Sequence, residues 1–170
     1  MSRARIGTVE TLAAGAATRQ ALGRLVVETA GPGFTEITRE VARWLGETGI
    51  RDGLLTAFCR HTSASLTIQE NADPDVRTDL TAALDRLAPR DAPYVHGIEE
   101  TCTNAQPRYR HNTEGPDDMP AHIRAMLTGT FLAVPLIGGR LALGTWQGIY
   151  LIEHRDRPHR REVVLHVVGE

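Results

Sequence analysis

Residues 22–29 (LGRLVVET) carry the apolar pattern of a strand, and a turn follows at Gly31-Pro32-Gly33. Over residues 34–48 the period changes. Ile37, Val41, Trp44 and Leu45 fall on one face of a helix, and Gly49 and Gly53 bracket its exit. Residues 54–69 (LLTAFCRHTSASLTIQ) alternate and are rich in β-formers, which predicts one long or bent strand. Asp73 caps the next helix, with Pro74 in its first turn. That helix runs to about Leu87, where Pro89 and Pro93 stop it. Residues 94–118 read as a loop, and a connection of that length inside a compact domain is often functional. A short helix then starts with Asp118 as N-cap and Pro120 in its first turn, and Gly129 ends it. Strands are expected at 130–137, 140–144, 147–155 and 161–168, with Gly138-Gly139 as a hairpin turn between the first two. Two or three helices interspersed with these strands predict an α+β fold on a largely antiparallel or mixed sheet. Residues 19–170 read as a single domain behind a short leader, residues 1–18, expected to be mobile.

Composition narrows the function. The chain has 170 residues and a formal net charge of −2, so it lacks the basic excess of a general nucleic-acid binder. No apolar run reaches the length of a membrane helix. The two cysteines, Cys59 and Cys102, form no C-x-x-C pair, which suits reduced thiols in a cytoplasmic protein.

The chemistry is concentrated in four segments. In a strand over 54–69, His61, Ser63, Ser65, Thr67 and Gln69 would share one face, and Ala64, Leu66 and Ile68 the other. The first face is either a solvated strip or one wall of a polar site, and Glu70 and Asn71 extend it without an evident structural task. The second segment, YRHNTEGPDDMPAHI, holds His111, Glu114, Asp117, Asp118 and His122. Imidazoles and carboxylates together are a ligand set for a borderline-to-hard cation. Gly115, Pro116 and Pro120 forbid one continuous helix, so His111 would come from the loop and His122 from the first helical turn. A helix N-terminus disfavours imidazolium and keeps His122 neutral. The bland reading is an acidic helix start with a surface histidine. In the third segment, GTWQGIYLIE, Glu153 shares a face with Gln147 among apolar neighbours and needs a cation, a metal or an arginine. A salt bridge with Arg155 or Arg161 is the plain alternative. Trp146 suits a core, a subunit contact or a ligand platform. The fourth is a basic cluster of Arg155, Arg157, Arg160 and Arg161, suited to phosphate or to a solvated turn. No G-x-S-x-G elbow, Walker loop, dinucleotide fingerprint or H-x-E…P-C-x-x-C deaminase signature is present.

HTSASLTIQENADP, YRHNTEGPDDMPAHI and LGTWQGIYLIEHR occur in this order, followed by an arginine-rich turn and a final strand ending in Gly-Glu. The ordered set resembles the YjbQ-like family, also called the secondary thiamine-phosphate synthase family, over residues 22–170. The resemblance implies an α+β fold with a curved mixed sheet and assembly as a homotrimer. It also implies a thiamine-phosphate synthase activity that is weak and secondary, on phosphorylated small molecules. It marks His61, Thr62, Ser63, Glu70, Asn71, His111, Asp118, His122, Thr145, Trp146, Gln147 and Glu153 as its recurring polar positions. With a bound divalent metal, Zn or Mg, held by His61, His111 and His122, the catalytic residues would be His122, Asp118 and Asn71. Thr62, Ser63, Glu70, Trp146, Gln147, Glu153 and Arg161 would bind substrate. Two other classes stay open: a non-catalytic trimer that binds a metal or small anion, and a metal-dependent hydrolase. No nucleic-acid or membrane partner is expected.

Overall fold

A computed structural model describes residues 11–12, 14–90 and 109–170. Eight strands and three helices are present among them: β1 (Arg19–Glu28), β2 (Gly33–Glu36), α1 (Thr38–Thr48), β3 (Gly53–Cys59), β4 (Ala64–Glu70), α2 (Pro74–Leu87), α3 (Asp118–Thr128), β5 (Phe131–Ile137), β6 (Arg140–Leu141), β7 (Gln147–Glu153) and β8 (Arg160–Gly169). They form a five-stranded sheet in the order β1-β8-β3-β5-β6 and a three-stranded sheet in the order β2-β7-β4. Each pairing is antiparallel, so the α+β expectation holds and the curled sheet contains no parallel pair among the described residues. The core lies between the sheets. Leu55, Ala57, Val134, Val163, Leu165 and Val167 face Leu66, Ile149 and Leu151, with Val41 and Leu45 of α1 packed among them. Among the described residues no helix is long and apolar enough to cross a membrane.

Local chemistry explains most boundaries. The Asp73 carboxylate accepts from the Asp75 N–H at 2.9 Å, and Pro74 opens α2 where its missing N–H costs nothing. Gly138 and Gly139 have φ of 58° and 81°, as the β5–β6 hairpin turn requires. β6 covers only two residues, shorter than the run expected over 140–144.

Two expectations are corrected. Residues 34–48 are not one helix: residues 33–36 pair with the edge of β7, and α1 starts at Thr38. The free edge of β7 claims this backbone, and the Thr38 hydroxyl then accepts the Ile149 N–H at 2.8 Å. Residues 54–69 are not one strand either. The chain leaves the large sheet at Cys59, bends over residues 60–63 and enters the small sheet at Ala64. The Arg60 N–H on the Glu162 carbonyl (3.1 Å) and Arg161 Nη2 on the Ser63 carbonyl and hydroxyl (3.3 and 3.2 Å) hold the bend. Residues 1–10 and 13 of the expected leader, and residues 94–108 of the expected loop, lie outside the described residues.

Candidate functional site

The start of α3 and the loop before it bring His111, Asp118 and His122 together. Asp118 and His122 are one helical turn apart and so share a face. His122 Nε2 lies 3.5 Å from Asp118 Oδ1, and His111 Nε2 lies 3.0 Å from Asp118 Oδ2. The two rings are 5.1 Å apart, centroid to centroid. One ligand atom from each residue lies within 4.8 Å of the others. A shared ion about 2.1 Å from each atom needs separations of up to about 4 Å, within reach of a small rotation of either ring.

Hydrogen bonding supports this use. The Thr62 carbonyl lies 3.0 Å from His122 Nδ1 and accepts its hydrogen bond, which orients the ring with Nε2 toward Asp118. Asp118 is 2 % exposed, and its Oδ2 has no hydrogen-bond partner among the described residues although His111 Nε2 is close at 3.0 Å. A buried carboxylate oxygen left in this way suits a cation. His111 stays about half exposed, so the group opens to solvent. Asp117, and not Asp118, is the N-cap position of α3, which leaves the Asp118 carboxylate free of a capping role. Two imidazoles and one carboxylate oxygen, with open positions, can hold a divalent transition metal.

Arg155 fixes the carboxylate side of this group. It is 9 % exposed, and its Nη1 donates to Asp118 Oδ1 at 2.8 Å and to Glu114 Oε2 at 3.0 Å. Its Nε donates to Asp117 Oδ2 at 2.8 Å. Burial works against the charge of Asp117, but the Asp156 N–H and the Arg155 guanidinium outweigh it and hold its carboxyl below the usual range. Arg155 was read as a partner for Glu153 or a phosphate anchor; it is committed to these carboxylates instead.

His61, expected as a third metal ligand, lies outside this group. Its Nε2 accepts the Glu162 N–H at 2.8 Å, the side chain pinning the bend over residues 60–63. Burial, then the nearby Arg161 charge, lowers its pKa, as an acceptor imidazole requires. Asp118 takes the place it was expected to fill. Arg161 and Glu153, expected to touch substrate, bind each other: Nε to Oε2 at 2.7 Å and Nη2 to Oε1 at 2.5 Å, with side chains 5 % and 1 % exposed. Thr29 Oγ1 and the Arg155 N–H complete the Glu153 carboxylate. Ser63 holds Arg161, while Thr62 is exposed and lends its carbonyl to His122. Ser65, read as part of an open strip, is fully buried under α3 against His154 Nε2 (2.8 Å) and the Thr128 hydroxyl (2.7 Å).

The remaining expected residues stand at the other end of the small sheet. Ala64 pairs with Glu153 and Glu70 with Gln147, so the two ends are six residues, or about 20 Å, apart. At the far end Trp146 is 64 % exposed, and its carbonyl accepts the Asn71 N–H at 3.0 Å. Gln147 Oε1 accepts the Gly144 N–H at 2.7 Å and so closes the turn that carries Thr145 and Trp146. The Glu70 carbonyl meets the Tyr150 hydroxyl at 3.5 Å. Sequence reasoning missed Glu36, which gathers Thr38, Asn71 and Tyr150 at 2.9, 3.4 and 3.5 Å, because residue 36 was assigned to a helix. It also missed His154, which is buried just past the end of β7, where the strand expected over 147–155 stops at Glu153. Burial first, then the Arg124 charge, pushes the His154 pKa down to about 4.

Comparison with known proteins follows this geometry. Residues 24–170 match the family described as UPF0047 protein YjbQ-like. A UPF0047 protein of Synechocystis is 50% identical over 146 residues, 86% of this chain and 90% of its own length. UPF0047 protein YjbQ of Salmonella typhimurium is 40% identical over 139 residues, 81% of this chain and 90% of its own. A solved yjbq/upf0047 family protein of Clostridium acetobutylicum superposes with a TM-score of 0.69 at 36% identity, covering 85% of this chain and 98% of that one. A YbjQ-like protein of unknown function from Sulfolobus solfataricus has a TM-score of 0.73 at 21% identity, covering 89% and 99%, a likeness of fold.

Proposed function

Because the chain belongs to the UPF0047 family of YjbQ-like proteins, we propose that it is a cytoplasmic, homotrimeric, metal-dependent transferase of the thiamine-phosphate synthase type. It would join hydroxymethylpyrimidine pyrophosphate to thiazole phosphate. The observation that carries the reading is the meeting of His111, Asp118 and His122 around a buried carboxylate oxygen that has no hydrogen-bond partner among the described residues. In the reaction the thiazole ring nitrogen attacks the pyrimidine methylene carbon with its lone pair. The carbon–oxygen bond to pyrophosphate breaks and its electron pair leaves with the pyrophosphate, giving a thiazolium phosphate. The difficulty lies in charge on the leaving group rather than in proton abstraction. A divalent ion held by His111, Asp118 and His122 would supply that neutralisation. The chain's own part is to fix the His122 ring through the Thr62 carbonyl, to aim Asp118 through Arg155, and to present the centre to solvent through His111.

Trp146, Asn71 and Gln147 are too far from this centre to serve it within one chain, and the homotrimer answers that: a neighbouring copy supplies them. The outer face of the large sheet supports self-association, since Leu22, Leu54, Phe58 and Phe131 are about half exposed or more. A second reading, a hydrolase, is favoured by the open positions that two imidazoles and one carboxylate leave on an ion. The test is purified protein with both substrates, with chelator and with His122→Ala as controls. Thiamine phosphate formed by the wild type and lost in both controls is the expected result. Pyrophosphate released without thiamine phosphate would favour the hydrolase, and no turnover at all would leave only the binding role.

A further inference from the structure

Three carboxylates crowd the metal-compatible group, and Arg155 engages one oxygen of each, which leaves Asp118 Oδ2 as the oxygen grouped with the two imidazoles. Its Nε takes Asp117 Oδ2, which the Asp156 N–H also binds. Its Nη1 takes Asp118 Oδ1 and Glu114 Oε2, and its Nη2 takes the Glu114 carbonyl. Asp118 Oδ2 remains, with His111 Nε2 and His122 Nε2 beside it. We propose that Arg155 is a specificity-determining residue that sets which cation the centre accepts. The inference rests on the metal-centre reading above.

The physical reason is the donor count. Calcium takes six to eight oxygens and magnesium a near-octahedral oxygen set, whereas imidazole with a single carboxylate suits zinc, cobalt or iron. Glu114, Asp117 and Asp118 without Arg155 would place three negative charges and up to six oxygens around the site, a hard-cation environment. With Arg155 in place one charge is cancelled and the planar guanidinium reaches all three groups at once, which the point charge of a lysine cannot do. Arg155 is nearly buried and Asp117 and Asp118 with it, so water does not loosen the arrangement. Glu114 is exposed, and its carboxylate is paired with this guanidinium at 3.0 Å.

The test is calorimetric titration of metal-free, full-length protein with Co2+ and with Ca2+, with the Co2+ absorption spectrum as the report of coordination. Wild type is expected to prefer Co2+ over Ca2+ by at least 100-fold. Arg155→Met should cut that preference at least tenfold, with tighter Ca2+ binding and a Co2+ spectrum moved toward higher coordination. Arg155→Lys should fall between the two, and Glu114→Gln alone should stay within twofold of wild type. Wild type that takes Co2+, with the same preference in Arg155→Met and Arg155→Lys, overturns the inference and leaves the metal centre standing. Wild type that takes neither ion overturns both. If circular dichroism shows Arg155→Met to be unfolded, Arg155→Lys decides: a preference unchanged from wild type overturns the inference.

Discussion

Glu153→Ala gives a severe stability defect whose size follows from the Glu153–Arg161 contacts. Glu153 accepts two bonds from Arg161, one from the Thr29 hydroxyl and one from the Arg155 N–H, at 2.5 to 2.9 Å. Both charged side chains are almost completely buried. Removing one partner of a buried pair leaves the other charge uncompensated and costs about 3–5 kcal/mol. The Thr29 and Arg155 donors lose an acceptor as well, about 1 kcal/mol each, so the upper end of that range is expected. In a chain of this size about 1 kcal/mol moves Tm by roughly 2–4 °C, so Tm should fall by about 10–20 °C. Urea unfolding followed by far-ultraviolet circular dichroism measures the loss for Glu153→Ala, Arg161→Met and the double variant. The double variant should recover at least about 2 kcal/mol relative to the sum of the singles, because the unpaired charge is then absent. The pH profile adds a sign. Burial raises the Glu153 pKa, but Arg161, the Arg155 N–H and Thr29 together outweigh it and hold the carboxyl low. Its contribution is therefore complete above the ordinary value of 4.5 and lost as pH falls through the lower folded value; Glu153→Ala should lack that decline. Single variants within about 1 kcal/mol of wild type, or simple additivity, would refute the reasoning.

The other predictions concern the site and its neighbours. Mixed, refolded His122→Ala and Trp146→Ala chains should regain activity that neither has alone, because a neighbouring copy can supply the missing end; no recovery in verified mixed oligomers would restrict the site to one chain. Asp118→Asn should weaken Co2+ binding by at least tenfold in calorimetry while urea unfolding of the metal-free protein stays cooperative; unchanged affinity would remove Asp118 from the ligand set. His154 is neutral in the folded protein down to about pH 4 but takes a proton near 6.5 when unfolded. Stability should therefore fall as pH drops from 6.5 to about 4, by roughly 3 kcal/mol in all. His154→Gln should show a flatter profile over that window, and an equal slope would mean that other groups carry it.

The sequence was most readable where local chemistry decides. Asp73-Pro74 marks the start of α2 and Gly138-Gly139 the β5–β6 turn, because a cap and a pair of positive φ angles depend on adjacent residues alone. The polar group at the start of α3 was legible as a candidate because His111, Asp118 and His122 lie in one short segment. The failures are long-range. Residues 34–36 belong to the expected helical stretch and still become a strand, since β7, more than a hundred residues later, offers them an open edge. His61 has the residue type of a ligand, but its partner is a backbone N–H on β8 that no pattern near His61 reveals. Arg155 looked like one more cation in a basic turn because its three carboxylates come from a distant loop.

These misses share a cause, and it bears on function. The bend over residues 60–63 moves the chain from one sheet to the other, and four distant groups converge on it: the Glu162 N–H and carbonyl, Arg161, and His122. Because the backbone turns there, the Thr62 carbonyl is unpaired by either sheet and can accept the His122 hydrogen bond. A single straight strand would have spent that carbonyl on a neighbour in a ladder. The alternation that made 54–69 look like one strand would thus have abolished the bond that orients His122. The buried Glu153–Arg161 pair clamps the bend through Ser63 on one side, and Arg155, two residues along the chain from Glu153, holds Asp118 on the other. Charged residues that looked like a substrate surface instead form the rigid frame of the small, solvent-open group of two imidazoles and one oxygen.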